Sequence, residues 1–161
     1  MKKGRNRSDF HKPDQSLPRS KILRGRRNFE RLFEKSTVLK SDTLQLRFRY
    51  YQDPSEGCLI GFIAPKKKIK SAVKRNRVKR LLREVYRTNQ QYLNDLFSKE
   101  NFGLHGVFIA QRETDYHQIK EEMIPLLKTL REQLITLLNK QSCKEPGGSS
   151  GMKMNTESKQ N

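Results

Sequence analysis

Tryptophan is absent and histidine occurs three times, so few aromatic heterocycles are available for a core or for catalysis. Cysteine occurs twice, at Cys58 and Cys143. Two thiols cannot make the disulfide framework of a small secreted domain. No apolar run approaches the roughly 18 residues of a membrane span, and the basic N-terminus is not followed by the apolar stretch of a signal peptide. Acid is scarce as well: 17 Asp plus Glu stand against 35 Lys plus Arg, a net charge of +18. Apolar residues make up 33% of the chain, below the roughly 45–50% of globular domains, so part of it is expected not to fold. A charge this large repels itself in a compact state and calls for a polyanionic partner. The class these features favour is a cytoplasmic nucleic-acid-binding protein, one domain with tails in 161 residues.

The charge is concentrated. Residues 1–31 hold eleven basic side chains and three acidic ones, and residues 66–87 hold eleven basic ones with Glu84 the only acid. The rest of the chain balances. Charge kept for solubility would spread more evenly, so this pattern reads as a binding surface. Residues 1–19, polar and almost without apolar content, read as a disordered basic arm. Residues 141–161, with Pro146-Gly147-Gly148-Ser149-Ser150-Gly151, read as a flexible tail. The domain is then 20–140.

Within it, Asn28 is expected to cap a short helix carrying Phe29, Leu32 and Phe33. Residues 43–51 alternate strictly, with Leu44, Leu46, Phe48 and Tyr50 facing one way and Gln45, Arg47 and Arg49 the other. After an Asp53–Gly57 turn, Cys58 to Ala64 suits a central strand, and the two strands read as an antiparallel hairpin. A helix follows from about Ser71 to Thr88, then a strand at 106–111. The segment 89–102 fits either a helix extension or a packed loop. From a cap at Thr114, apolar residues run to Leu137 at spacings of three and four, with Pro125 expected to kink or divide the helix. The order points to an α+β sandwich with helices on one sheet face.

In the 71–88 helix, Val78, Leu81, Leu82 and Val85 share an arc of about 100°. Asn76, Lys79, Arg80, Arg83 and Arg87 share the opposite arc, with Arg75 and Arg77 at its borders. Solvated helix faces usually mix signs at i, i+4. This one is nearly all cation, and guanidinium forks suit phosphate oxygens. The histidines His11, His105 (in a Gly-flanked turn) and His117 have no partner at metal-ligand spacing, and Glu121-Glu122 reads as a solvated helix edge. Neither a catalytic residue nor a metal site emerges.

At Gly61-Phe-Ile-Ala-Pro-Lys66-Lys67 and Ala72-Val73-Lys74-Arg75-Asn76-Arg77-Val78-Lys79-Arg80-Leu-Leu-Arg83-Glu84, the sequence resembles the protein component of bacterial ribonuclease P. About 23–135 follows that family's pattern. Two departures stand out: one extra residue in Lys68-Ile69-Lys70-Ser71, and Arg47 where some members carry a tyrosine. The resemblance implies an α-β-β-β-α-β-α fold with a left-handed β-α-β crossover, where the general rule favours a right-handed one. It implies RNA contacts at Lys66, Lys67 and Lys74 as well as along the stripe. Its implied partners are a catalytic RNA subunit and precursor tRNA, whose 5′ leader lies in a cleft between the first helix and the sheet. No protein partner is implied, and magnesium is held chiefly by the RNA. Phe29 and Phe33 then have two readings, core or cleft. Residues four apart share a face, so both are expected to behave alike, with Arg47 and Arg49 flanking such a cleft. A ribosomal-type RNA-binding protein and a stand-alone basic nuclease are the alternatives.

Overall fold

The computed structural model describes residues 15–99 and 101–155, and the side chains of these except 99 and 143–155. Eight elements follow in order: α1 (Arg26–Glu34), β1 (Thr37–Lys40), β2 (Leu44–Tyr51), β3 (Cys58–Ile63), α2 (Ala72–Asn89), α3 (Gln91–Lys99), β4 (Gly103–Ala110) and α4 (Tyr116–Asn155). The strands form one sheet in the order β1-β2-β4-β3. The ambiguous 89–102 stretch thus contains a separate helix, α3, pinned to α4 by Arg131, which binds both carboxylate oxygens of Asp95 and the Tyr92 carbonyl.

The expected β2–β3 hairpin does not form. β4 lies between the two, antiparallel to β2 and parallel to β3. All eight β4 residues are buried, so the strand best able to fill a two-sided interior takes the centre. β3 becomes the edge instead, and its rim is partly covered where the Leu23 amide donates to the Ile60 carbonyl at 3.0 Å. The β3-to-β4 connection through α2 and α3 supplies the long crossover that parallel neighbours require.

Alternation along the strands splits the sheet into two faces. Leu44, Leu46, Phe48, Ile60, Leu104 and Phe108 face the main core under α2 and α4. Val107 and Ile109 face the other way, against Leu23 and Leu32. Helices therefore sit on both faces. α1 packs on the second face, with Phe29 and Leu32 toward β3 and β4 and Arg31 and Phe33 beside β2.

Local chemistry sets the helix ends, and two caps differ from expectation. Gly25, at φ 92°, caps α1, while Asn28 lies inside the helix and donates to the Arg24 carbonyl. Ser71 caps α2 as a side-chain acceptor for the Lys74 amide. Asp115 rather than Thr114 caps α4, accepting from the Gln118 amide at 2.9 Å. Pro125 does not divide α4. It lies on the exposed side between buried Met123 and Leu126, whose packing holds the helix.

The terminal boundaries move too. Arg87 and Gln90 hold the Gln15 and Ser16 carbonyls, and Leu17 packs on the core, so ordered chain begins before residue 20. Residues 1–14 of the expected arm lie outside the described residues. At the other end α4 continues to Asn155, where a flexible tail was expected; residues 156–161 lie outside the described residues. The Tyr50 hydroxyl bonds Gln141, so the packed helix reaches the start of that segment. A helix already nucleated extends at the expense of propensity alone, which is how it passes through poor helix formers.

Glu122 is not a solvated edge. It accepts from Ser41 Oγ at 2.5 Å and from the Thr43 amide and hydroxyl, each at 2.8 Å, fastening the β1–β2 turn to α4. Burial pushes its carboxyl up, but these bonds outweigh burial and hold it below the ordinary range. A depressed folded value stabilises above the unfolded pKa and loses that contribution as pH falls through the folded one. Glu122→Gln is expected to cost about 1–2 kcal/mol near neutral pH. Urea melts of the two proteins should converge as pH drops below about 4, and a constant gap across that range would refute the assignment.

Gly103 marks a close approach of the turn before β3. A Cβ there would lie 2.7 Å from Glu56 Cβ and 2.9 Å from the Asp53 carbonyl. Gly103→Ala should therefore destabilise by about 1–3 kcal/mol, read as a lowered unfolding midpoint with an unchanged m-value.

Candidate nucleic-acid interface

Two surfaces are basic, and they differ in kind. The first is α2. Val78, Leu82, Val85 and Tyr86 are buried, with Leu81 packed beside them, which turns the opposite arc to solvent. Asn76, Arg77, Arg80 and Arg83 are exposed and Lys79 is half-buried. Among the described residues, Arg77, Lys79, Arg80 and Arg83 make no ion pair. Lys66 and Lys67 are also exposed and, among the described residues, unpaired, in the loop before the helix.

Other predicted contacts on α2 are already engaged within the chain. Arg75 donates to the Ile69 and Lys70 carbonyls at 3.1 and 2.8 Å, closing the loop ahead of the helix. Lys74 pairs with Glu113 at 3.1 Å. Arg87 is bidentate to Glu84 and reaches the Gln15 carbonyl. The Lys68–Ser71 loop buries Ile69 at 4% exposure, which plugs the core and leaves Lys68 and Lys70 outside.

The second surface is the β2 half of the sheet beside α1. Phe33, at 41% exposure, lies under the Arg47 guanidinium at 5.3 Å. Tyr51 has Arg31 at 5.0 Å and Arg49 at 4.9 Å from its ring centre, both in cation–π range. Arg49 also donates to the Arg31 carbonyl at 2.9 Å, which fixes its direction. Arg31 grips both oxygens of Glu56 and holds that carboxyl below its usual range. The result is a groove floor of flat aromatic and guanidinium planes, which can stack on bases and contact phosphates.

Phe29 and Phe33 part company here. Phe29 packs on the Leu23, Leu32, Val107 and Ile109 cluster, in the space that Gly61 leaves by lacking a side chain. On α1, Phe29 and Leu32 pack toward β3 and β4, while Arg31 and Phe33 lie beside the β2 residues Tyr51 and Arg47. Arg47 and Arg49 stand on the groove face, as the alternation indicated. Tyr51 and Arg31 were missed. The same alternation carried two residues beyond Arg49 reaches Tyr51, but nothing local in the sequence marks Arg31.

His105 is inside β4, not in a turn, and is 1% exposed. Its Nε2 lies 3.1 Å from the Glu56 carbonyl and its ring meets Tyr51 edge-on. It supports the groove from below. Among the described residues, no group of three or more His, Cys, Asp or Glu side chains could hold a metal ion, and no helix is long and apolar enough to cross a membrane.

A sequence model of the family described as Ribonuclease P matches residues 17–131. The chain belongs to the ribonuclease P protein family. It is 32% identical over 122 residues to a ribonuclease P protein component of Nitrosomonas eutropha, covering 74% of this chain and 94% of that one. It is 31% identical over 128 residues to the one from Chlorobaculum tepidum, covering 76% and 80%. The structure of the Staphylococcus aureus ribonuclease P protein is alike in fold, with TM-score 0.54 and 18% identity over 68% of this chain and 94% of that one. The chain's function is that of the ribonuclease P protein subunit, which associates with the ribonuclease P RNA.

Proposed function

We propose that the chain holds the catalytic RNA along α2 and the single-stranded 5′ leader of precursor tRNA in the groove between α1 and β2. The leader is then removed hydrolytically by the RNA subunit. The observation that carries this is the groove floor, where Phe33 and Tyr51 lie against three guanidiniums. Planar aromatic and guanidinium groups stack on any base, so such a floor accepts leaders of many sequences. The α2 stripe offers charge without base-reading geometry apart from Asn76, which suits binding one large folded RNA through its phosphates.

Magnesium in this reading is held chiefly by the RNA. An unneutralised row of guanidiniums repels a divalent cation, while RNA phosphates attract it. The protein assists by drawing the leader to the RNA and by offsetting phosphate repulsion between two polyanions.

The test is reconstitution with a ribonuclease P RNA at low magnesium, following leader release from labelled precursor tRNA. Full activity is expected only when protein and RNA are combined. Cleavage by protein alone would show a stand-alone nuclease. RNA binding with no gain in cleavage would show a binding protein of ribosomal type.

A further inference from the structure

We infer that a pocket at the far end of α2 takes a single nucleobase turned out of the bound RNA, an inference that rests on the RNA-binding reading above. The pocket is about 580 Å³ and lies between the end of α2, α3, the start of β3 and the strap before α1. That volume suits one small planar ligand and falls within the usual range for ligand sites.

Its walls have the chemistry of base recognition. Phe97 supplies aromatic surface, backed by Tyr86 and Phe102, whose rings are almost wholly packed within the core. Asn94 lines the pocket with a side-chain amide that makes no hydrogen bond among the described residues, leaving an acceptor and two donors for a base edge. Gln90, nearly fully buried, spends its Nε2 on the Ser16 carbonyl at 2.9 Å, which holds the strap in place as a fixed lip. Among the described residues, Lys21 is the one cation in the lining and none of the lining residues is acidic. A cationic metabolite is therefore disfavoured, while a neutral base with its phosphate outside, near Lys21, is accommodated.

Position supplies the second argument. Tyr86 lies on α2 with Arg80 and Arg83, and Gln90 follows the last residue of that helix, so RNA bound along the exposed stripe ends near the pocket. The Cys58 thiol on the floor is pushed up to about 11 by burial, so it is a neutral apolar contact and not a nucleophile.

The test uses the full chain with ribonuclease P RNA carrying thiouridine, irradiated in the complex, with crosslinked peptides mapped. Crosslinks within 94–102 or at Cys58 are expected. Asn94→Leu and Ser98→Trp, the latter filling the mouth from an exposed position, should each weaken RNA binding between about fivefold and a hundredfold. The salt dependence should stay unchanged, because every cation that meets a phosphate is still in place. Normal RNA affinity in both variants, with crosslinks confined to α2 and the groove, would overturn the pocket and leave the subunit reading intact. Failure of the unaltered protein to bind the RNA would overturn both.

Discussion

Replacing Arg80 and Arg83 together by Ala lowers the slope of log K against log salt for RNA binding by about 1.4–1.8, since each phosphate that an arginine no longer neutralises accounts for about 0.7–0.9. The melting temperature should not fall. Both side chains are exposed and unpaired among the described residues, and they lie opposite buried Val78, Leu82 and Val85. Removing two like charges from one helix face relieves repulsion rather than creating a cavity. Arg75→Ala is the contrast. That guanidinium closes the loop at Ile69 and Lys70, so its removal should lower stability along with affinity. Titrations at several salt concentrations beside thermal melts separate the two, and an unchanged slope in the double variant would refute the stripe as the RNA surface.

Phe33→Ala should weaken binding of precursor tRNA by about 1–3 kcal/mol, leave binding of mature tRNA unchanged, and barely alter stability. Phe29→Ala should instead destabilise the fold by about 3 kcal/mol, reducing binding of both tRNA forms alike through loss of folded protein. The difference follows from what each ring touches. Phe29 fills the space above Gly61, whereas Phe33 has Arg47 on one side and solvent on the other. Chemical unfolding with paired binding titrations decides it. Equal discrimination between the two tRNAs by both variants would show that the rings act together.

Local periodicity made much of this protein legible. The α2 stripe is a property of one helix, so residue spacing alone placed Arg80 and Arg83 opposite the core. Strand alternation likewise put Arg47 and Arg49 on one side of β2. The motif around Arg75-Asn76-Arg77 pointed to the family before any contact was known. Periodicity failed where a residue's role depends on a partner distant in the chain or on how a loop folds back. Arg75 looked like its basic neighbours, but the loop that spends it returns from Ile69. Glu122 looked solvated because its donors, Ser41 and Thr43, lie some eighty residues away.

Composition and spacing determined that this chain binds a polyanion, which helix carries the charge, and which strand residues share a face. These are matters of charge and of the 3.6- and 2-residue periods, and each is complete within one element. Strand order was decided only in three dimensions. A β2–β3 hairpin satisfies local rules equally well, and only the burial of all eight β4 residues on both sides favours inserting that strand between them. The groove was decided the same way. Phe29 and Phe33 share a helix face, but the packing of α1 on the sheet sets one ring against the Leu23 cluster and leaves the other exposed beside Arg47.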